Sequence, residues 1–170
     1  MITISIEGMK ISIDENNKST KGLLKDIGNG AKCTTKIPSE QDVLEVEKII
    51  GSKFPSQLRS AILKYGYIYR DSNEWLGIRN GIDPEKQSMA IYYKSIYEQG
   101  NKPEKRVYPI SPDGFGNYLC VGEDNKMYEY IHDSKNPIVD FSTFYKVPEC
   151  KDFNWYLKNV ILGTKNYYGK

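Results

Sequence analysis

Few residues of this chain are of types and spacings that do chemistry. The single histidine, His132, stands beside Asp133 in Tyr-Ile-His-Asp. A histidine oriented by a carboxylate can work as a general base. Neighbours on a strand point to opposite faces, so a strand here predicts that His132 and Asp133 do not meet. No Gly-x-Ser-x-Gly or similar nucleophile signature accompanies them. His132 is therefore read as a sheet-edge residue, and no catalytic residue is assigned. Gly114-Phe115-Gly116 lacks the third glycine and the strand–loop–helix setting of a phosphate cradle, which makes these hairpin glycines. Asp113, Glu123 and Asp124 fall on loops without calcium-loop spacing. Cys33, Cys120 and Cys150 are odd in number, form no Cys-x-x-Cys pair and, with one histidine, give no zinc pattern. They are expected to be reduced thiols of a cytoplasmic protein. No metal and no cofactor is expected.

Binding is the other chemistry open to these residues. There are 14 tyrosines against 5 phenylalanines and 2 tryptophans. Tyr128 and Tyr130 are two apart, so they share one face of a strand. Tyrosine gives large contact area at low entropy cost, although most of the tyrosines are expected in half-buried core positions. Between residues 107 and 153 four lysines stand against eight carboxylates, a local net charge of −4. The first helix adds Glu40, Asp42, Glu45 and Glu47. An acidic, tyrosine-bearing face suits a basic protein partner, and a solvated face without a partner fits the same charges.

The elements that must position these residues follow from periodicity. Ile2, Ile4 and Ile6, then Met9, Ile11 and Ile13, alternate on either side of Glu7-Gly8 and predict a β-hairpin. Residues 14–39 are polar and carry Gly22, Gly28 and Gly30, which predicts an irregular connector with one short helix at 19–27. Ser39 with Asp42 approximates a capping box, followed by a helical stripe to about residue 50 and a stop at Gly51. A second helix is predicted from Pro55 to Gly66, and a third from Asp83-Pro84-Glu85 to about Tyr97. From Val107 the period changes to two, which predicts strands at 106–111, 118–121, 127–132 and near Ile138-Val139. Asp152–Leu162 reads as a closing helix. The fold class is α+β: N-terminal helices, an antiparallel β-meander and a C-terminal helix. The division is an extension over 1–38 and one domain over 39–170.

The chain of 170 residues is 39% apolar, 27% charged and 12% aromatic. These values exclude a membrane protein and argue against disorder. The first residues do not have the pattern of a signal peptide. A net charge of +2, with only Arg59, Arg70, Arg79 and Arg106 as arginines, argues against direct nucleic-acid binding.

Four motifs in order then point to a family. Phe54-Pro55 followed by Leu58-Arg59 and Tyr65-Gly66 resembles the opening of the SUKH superfamily, the immunity proteins related to fungal Smi/Knr regulators. Pro112-Asp113-Gly114-Phe115-Gly116-Asn117 is similar to its strand and turn, with Asn117 where Asp is usual. Met127–Asp133 is similar to its histidine-bearing strand, with Tyr130 where Trp is usual, and Asp152-Phe153 to Leu157 to its closing helix. The match covers roughly residues 39–163. It implies a SUKH-like α+β domain without enzymatic activity, a bacterial immunity protein that binds and neutralises a toxin domain such as a nuclease. The alternative is a regulatory protein-binding module of the Smi/Knr type. With the local charge, the resemblance makes Asp113, Glu123, Asp124, Tyr128, Glu129, Tyr130 and Asp133 the expected partner-binding surface.

Overall fold

The computed structural model describes residues 2–6, 9–13, 24–71, 73–99 and 101–165. The alternating isoleucines form β1 (Ile2–Ile6) and β2 (Met9–Ile13), an antiparallel two-stranded sheet. Ile6 pairs with Met9, the register of the expected hairpin, while its turn at Glu7-Gly8 lies outside the described residues.

The expected connector is corrected over residues 24–34, which are neither irregular nor helical. β3 (Leu24–Gly28) and β4 (Ala31–Thr34) pair around Asn29-Gly30, with φ of 52° and 78°. Two left-handed residues in a two-residue turn match the twist of the flanking strands. β4 also pairs with β5 (Tyr67–Arg70), and β5 with β6 (Asn73–Leu76), completing a sheet in the order β3-β4-β5-β6. This sheet therefore crosses the boundary expected after residue 38. Ala31 and Cys33 are fully buried in the main core, and the Asn29 side chain donates to the Leu162 carbonyl at 2.7 Å. The start of the helix expected at 19–27 lies outside the described residues.

The first helix forms as its caps dictate. In α1 (Glu40–Ile50), Ser39 accepts from the Asp42 amide and Asp42 accepts from the Ser39 amide, while Gly51 at φ 69° ends the helix. α2 (Ser56–Tyr65) begins after Pro55 and ends at Gly66. The third helix, expected as one piece, is broken. A 3₁₀ turn at Pro84–Lys86 is followed by extended Gln87 and then by α3 (Ser88–Lys94), which widens into a π-helical turn over Ser95–Gln99. The buried Gln87 amide fixes the break by bonding the N–H and carbonyl of Arg79 and the carbonyl of Ile82.

The predicted meander is present as β7 (Val107–Pro112), β8 (Tyr118–Gly122), β9 (Met127–Tyr130) and β10 (Ile138–Asp140), paired in that order. A single turn, α4 (Phe141–Phe144), was not expected; Asp140 caps it. The closing helix is α5 (Phe153–Tyr156), continued by a π-helical stretch Leu157–Ile161. The α+β class holds. One face of the meander, bearing Tyr108, Leu119, Val121 and Met127, belongs to the main core with Phe54, Leu58, Ile62 and Phe153. The other face, bearing Val107, Cys120, Tyr128 and Tyr130, packs with Ile96 in a second, smaller cluster.

Candidate functional site

The motifs that carry the resemblance have structural work to do. Glu47 is a buried carboxylate; its Oε1 accepts from the Phe54 amide at 2.9 Å and from Arg59 Nε at 3.3 Å. Arg59 also reaches Glu40 at 2.6 Å. A buried carboxylate is tolerable because it is paired and hydrogen-bonded, and here it locks the Phe-Pro turn to α1 and α2. At the other end of the meander Asp113 closes its turn. Its Oδ1 accepts from the Phe115 and Asn117 amides and its Oδ2 from the Asn117 side chain at 2.7 Å. Gly114 and Gly116, at φ 85° and 94°, supply the left-handed backbone.

The expected binding surface is not one surface. Glu123 and Asp124 lie in the β8–β9 turn, and Asp113 and Asp133 at the opposite end of these strands. Tyr128 and Tyr130, expected to supply the aromatic area, are corrected to core residues. Tyr130 is only 1% exposed. Alternation did put them on one face, but that face is covered by the π-helical end of α3. Asp124 is engaged internally, accepting from Lys105 Nζ at 2.8 Å and from the Tyr128 hydroxyl at 2.7 Å. Burial raises the Asp124 carboxyl, yet the bonds from Lys105, Tyr128 and the Lys126 amide outweigh it and hold it below the usual range. The adjoining Asn125 side chain accepts from the Gln57 amide, and Gln57 bonds Asp152 and the Asn154 amide, tying this turn to α2 and α5. Periodicity could not reveal that network, because its members are far apart in sequence.

His132 corrects a second expectation. β9 ends at Tyr130, and residues 131–134 turn, with the Ser134 amide donating to the Ile131 carbonyl. Out of the strand, His132 Nε2 does meet Asp133 Oδ1, at 3.0 Å. The other ring nitrogen lies 3.1 Å from Asn117 Oδ1, and the ring packs against Gly116. Among the described residues no hydroxyl or thiol hydrogen-bonds this ring, so it buttresses the Asp113 turn. All three cysteines are free and buried. Burial pushes their thiols up, Cys150 to about 12, so thiolate chemistry is disfavoured at neutral pH.

Sequence reasoning did not find a cleft that lies between the two four-stranded sheets. β6 runs beside β7 where the two sheets meet, and there a cleft of about 430 Å³ opens. Trp75, Leu119 and Val160 form its apolar wall; Ser111, Asp113 and Glu129 line the meander side, and Arg70, Asp71 and Lys165 the other. Arg70 is committed to structure, donating from Nη1 to the carbonyls of Val160, Ile161 and Gly163 and so capping the closing helix. Glu129 Oε2 accepts from the Tyr145 hydroxyl. Burial pushes the Glu129 carboxyl up, the Tyr145 bond opposes this, and nearby Asp113 adds to the rise. Phe115, two residues on from the cleft-lining Asp113, is 81% exposed in the turn that Asp113 closes. Of the predicted residues, the structure brings Asp113 and Glu129 together here.

Among the described residues no group of three or more His, Cys, Asp or Glu is placed to hold a metal, and no described helix is long and apolar enough to cross a membrane. Comparison with curated proteins and with solved structures gives no match. The model of the SMI1 / KNR4 family (SUKH-1) matches residues 37–147, from the approach to α1 through the whole meander, and the chain belongs to that family.

Proposed function

We propose that this chain is a cytoplasmic bacterial immunity protein that binds a toxin domain and neutralises it by direct contact. The family match over residues 37–147 carries the reading, because the family's members are generally non-enzymatic immunity and protein-binding modules. The site chemistry agrees with it. The one histidine and the aspartate of the turn are tied into local structure, while the half-buried Glu129 carboxylate lines the cleft and the Phe115 ring stands exposed on the Asp113 turn. An exposed aromatic on a preorganised turn is the kind of residue that anchors protein interfaces. The partner is a protein; neither nucleic acid nor membrane enters the proposal. The test is co-expression with the C-terminal domain encoded by an adjacent toxin gene. Growth should be restored and the two chains should co-purify at fixed stoichiometry. No protection, or protection without a complex, overturns the proposal.

A further inference from the structure

We infer that the cleft between β6 and β7 receives an arginine side chain from the protein partner, with Glu129 as its counter-ion. The inference deepens the binding reading above and rests on it. Glu129 uses one oxygen on Tyr145; Oε1 takes no hydrogen bond from the described residues, although the side chain lines the cleft. Ser111 is a second unfilled group. It is 7% exposed, lines the same cleft, and its hydroxyl makes no hydrogen bond with the described residues. Both oxygens are reached from the cleft and take no donor from the described residues, so a donor seated in the cleft finds two acceptors there.

Charge selects the donor. Arg70 lies beside Asp71 at 3.5 Å, and Lys165 beside Glu149 at 3.8 Å. The remaining carboxylates of the cleft, Glu129 and Asp113, have only neutral hydrogen-bond partners among the described residues. A cation is favoured and an anion repelled. The wall of Trp75 and Leu119 suits the methylene stem and flat face of a guanidinium, which presents several donors in one plane. An ammonium offers a smaller, more strongly hydrated charge.

The test is NMR titration of the full chain with N-acetyl-arginine amide, using N-acetyl-norleucine amide and inorganic phosphate as controls. Saturable shifts of the Ser111, Leu119 and Glu129 amides and the Trp75 indole N–H are expected with the arginine probe alone. Glu129→Gln keeps an acceptor for Tyr145 and should weaken the probe by about tenfold, the value of a charge-assisted bond. Ser111→Ala, a smaller change, should weaken it less and guards against misfolding of the first variant. No saturable shift, equal shifts with norleucine, shifts with phosphate, or a Glu129→Gln variant that binds the probe as well as the parent would each overturn the inference. These readouts need no toxin, so they separate failure of the cleft from failure of the immunity reading. Should the probe bind while Glu129→Gln still protects cells fully, the cleft is not the partner's site and the inference falls while immunity stands.

Discussion

Glu129 is kept at a cost to the fold, and that cost is measurable. Burial, with Asp113 adding to it, lifts its native carboxyl above the ordinary glutamate value, so the native state holds this proton more tightly than the unfolded chain does. Stability must then fall as pH rises from the unfolded value through the raised native one. Glu129→Gln removes the charge and leaves an oxygen for the Tyr145 hydroxyl. Its denaturation midpoint should exceed the parent's at pH 7, and the gain should vanish below about pH 4. A midpoint equal to or below the parent's at pH 7 would show that the carboxylate is well accommodated. Gly116 makes the opposite case. A Cβ there would lie 3.1 Å from the His132 ring, at φ 94°. Gly116→Val and the open-space Gly114→Val should each cost about 1–3 kcal/mol of stability, read as a lower urea midpoint, Gly116 the more. This turn was legible because Asp-Gly-x-Gly specifies it locally. The orientation of Tyr128 and Tyr130 was not, since alternation says that two residues share a face but not which face is covered.

At the level of elements, legibility followed the strength of local chemistry. The capping box of α1 and the glycine stops of both helices read directly, and so did the meander with its turn at Gly122–Lys126. The β3–β4 hairpin was missed although Asn29-Gly30 is a strong two-residue turn signal. β3 is a largely exposed edge strand, so its residues show no apolar alternation to attract notice. The breaks and π-turns of the later helices come from tertiary packing, such as the Gln87 amide, and have no local signature. The hairpin is nevertheless part of the main body. A chain starting at Lys36 would lose Ala31 and Cys33 from the core, lose the Asn29 bond to the closing helix, and leave β5 as an unpaired edge. It should aggregate or unfold at markedly lower urea than the full chain, because an exposed β5 edge invites strand pairing. An unchanged midpoint and a monomeric species would place residues 24–34 outside the cooperative unit.

Over the whole molecule, the near-neutral charge conceals two acidic ends of one sheet, and their carboxylates are engaged differently. The Glu123–Asp124 end is bound down, by Lys105 and Tyr128 on one side and by Gln57 through Asn125 on the other. The Asp113 end combines the cleft, the Glu129 carboxylate and the protruding Phe115 ring. Net charge and sequence position could not distinguish the two, because pairing across the fold decides which carboxylates remain available. A partner that docks at the Asp113 end should use Phe115 as an anchor. Phe115→Ala should then raise the dissociation rate of the toxin complex, with a loss of about 2 kcal/mol or more, while the association rate changes little. Its folding midpoint should match the parent's, since the ring lies largely in solvent. Glu123→Lys, at the other end, should alter the salt dependence of association and leave dissociation nearly untouched. Stopped-flow association and competition-chase dissociation measure both rates. A Phe115→Ala complex as long-lived as the parent's, alongside a Glu123→Lys complex that falls apart quickly, would move the interface to the opposite end of the sheet.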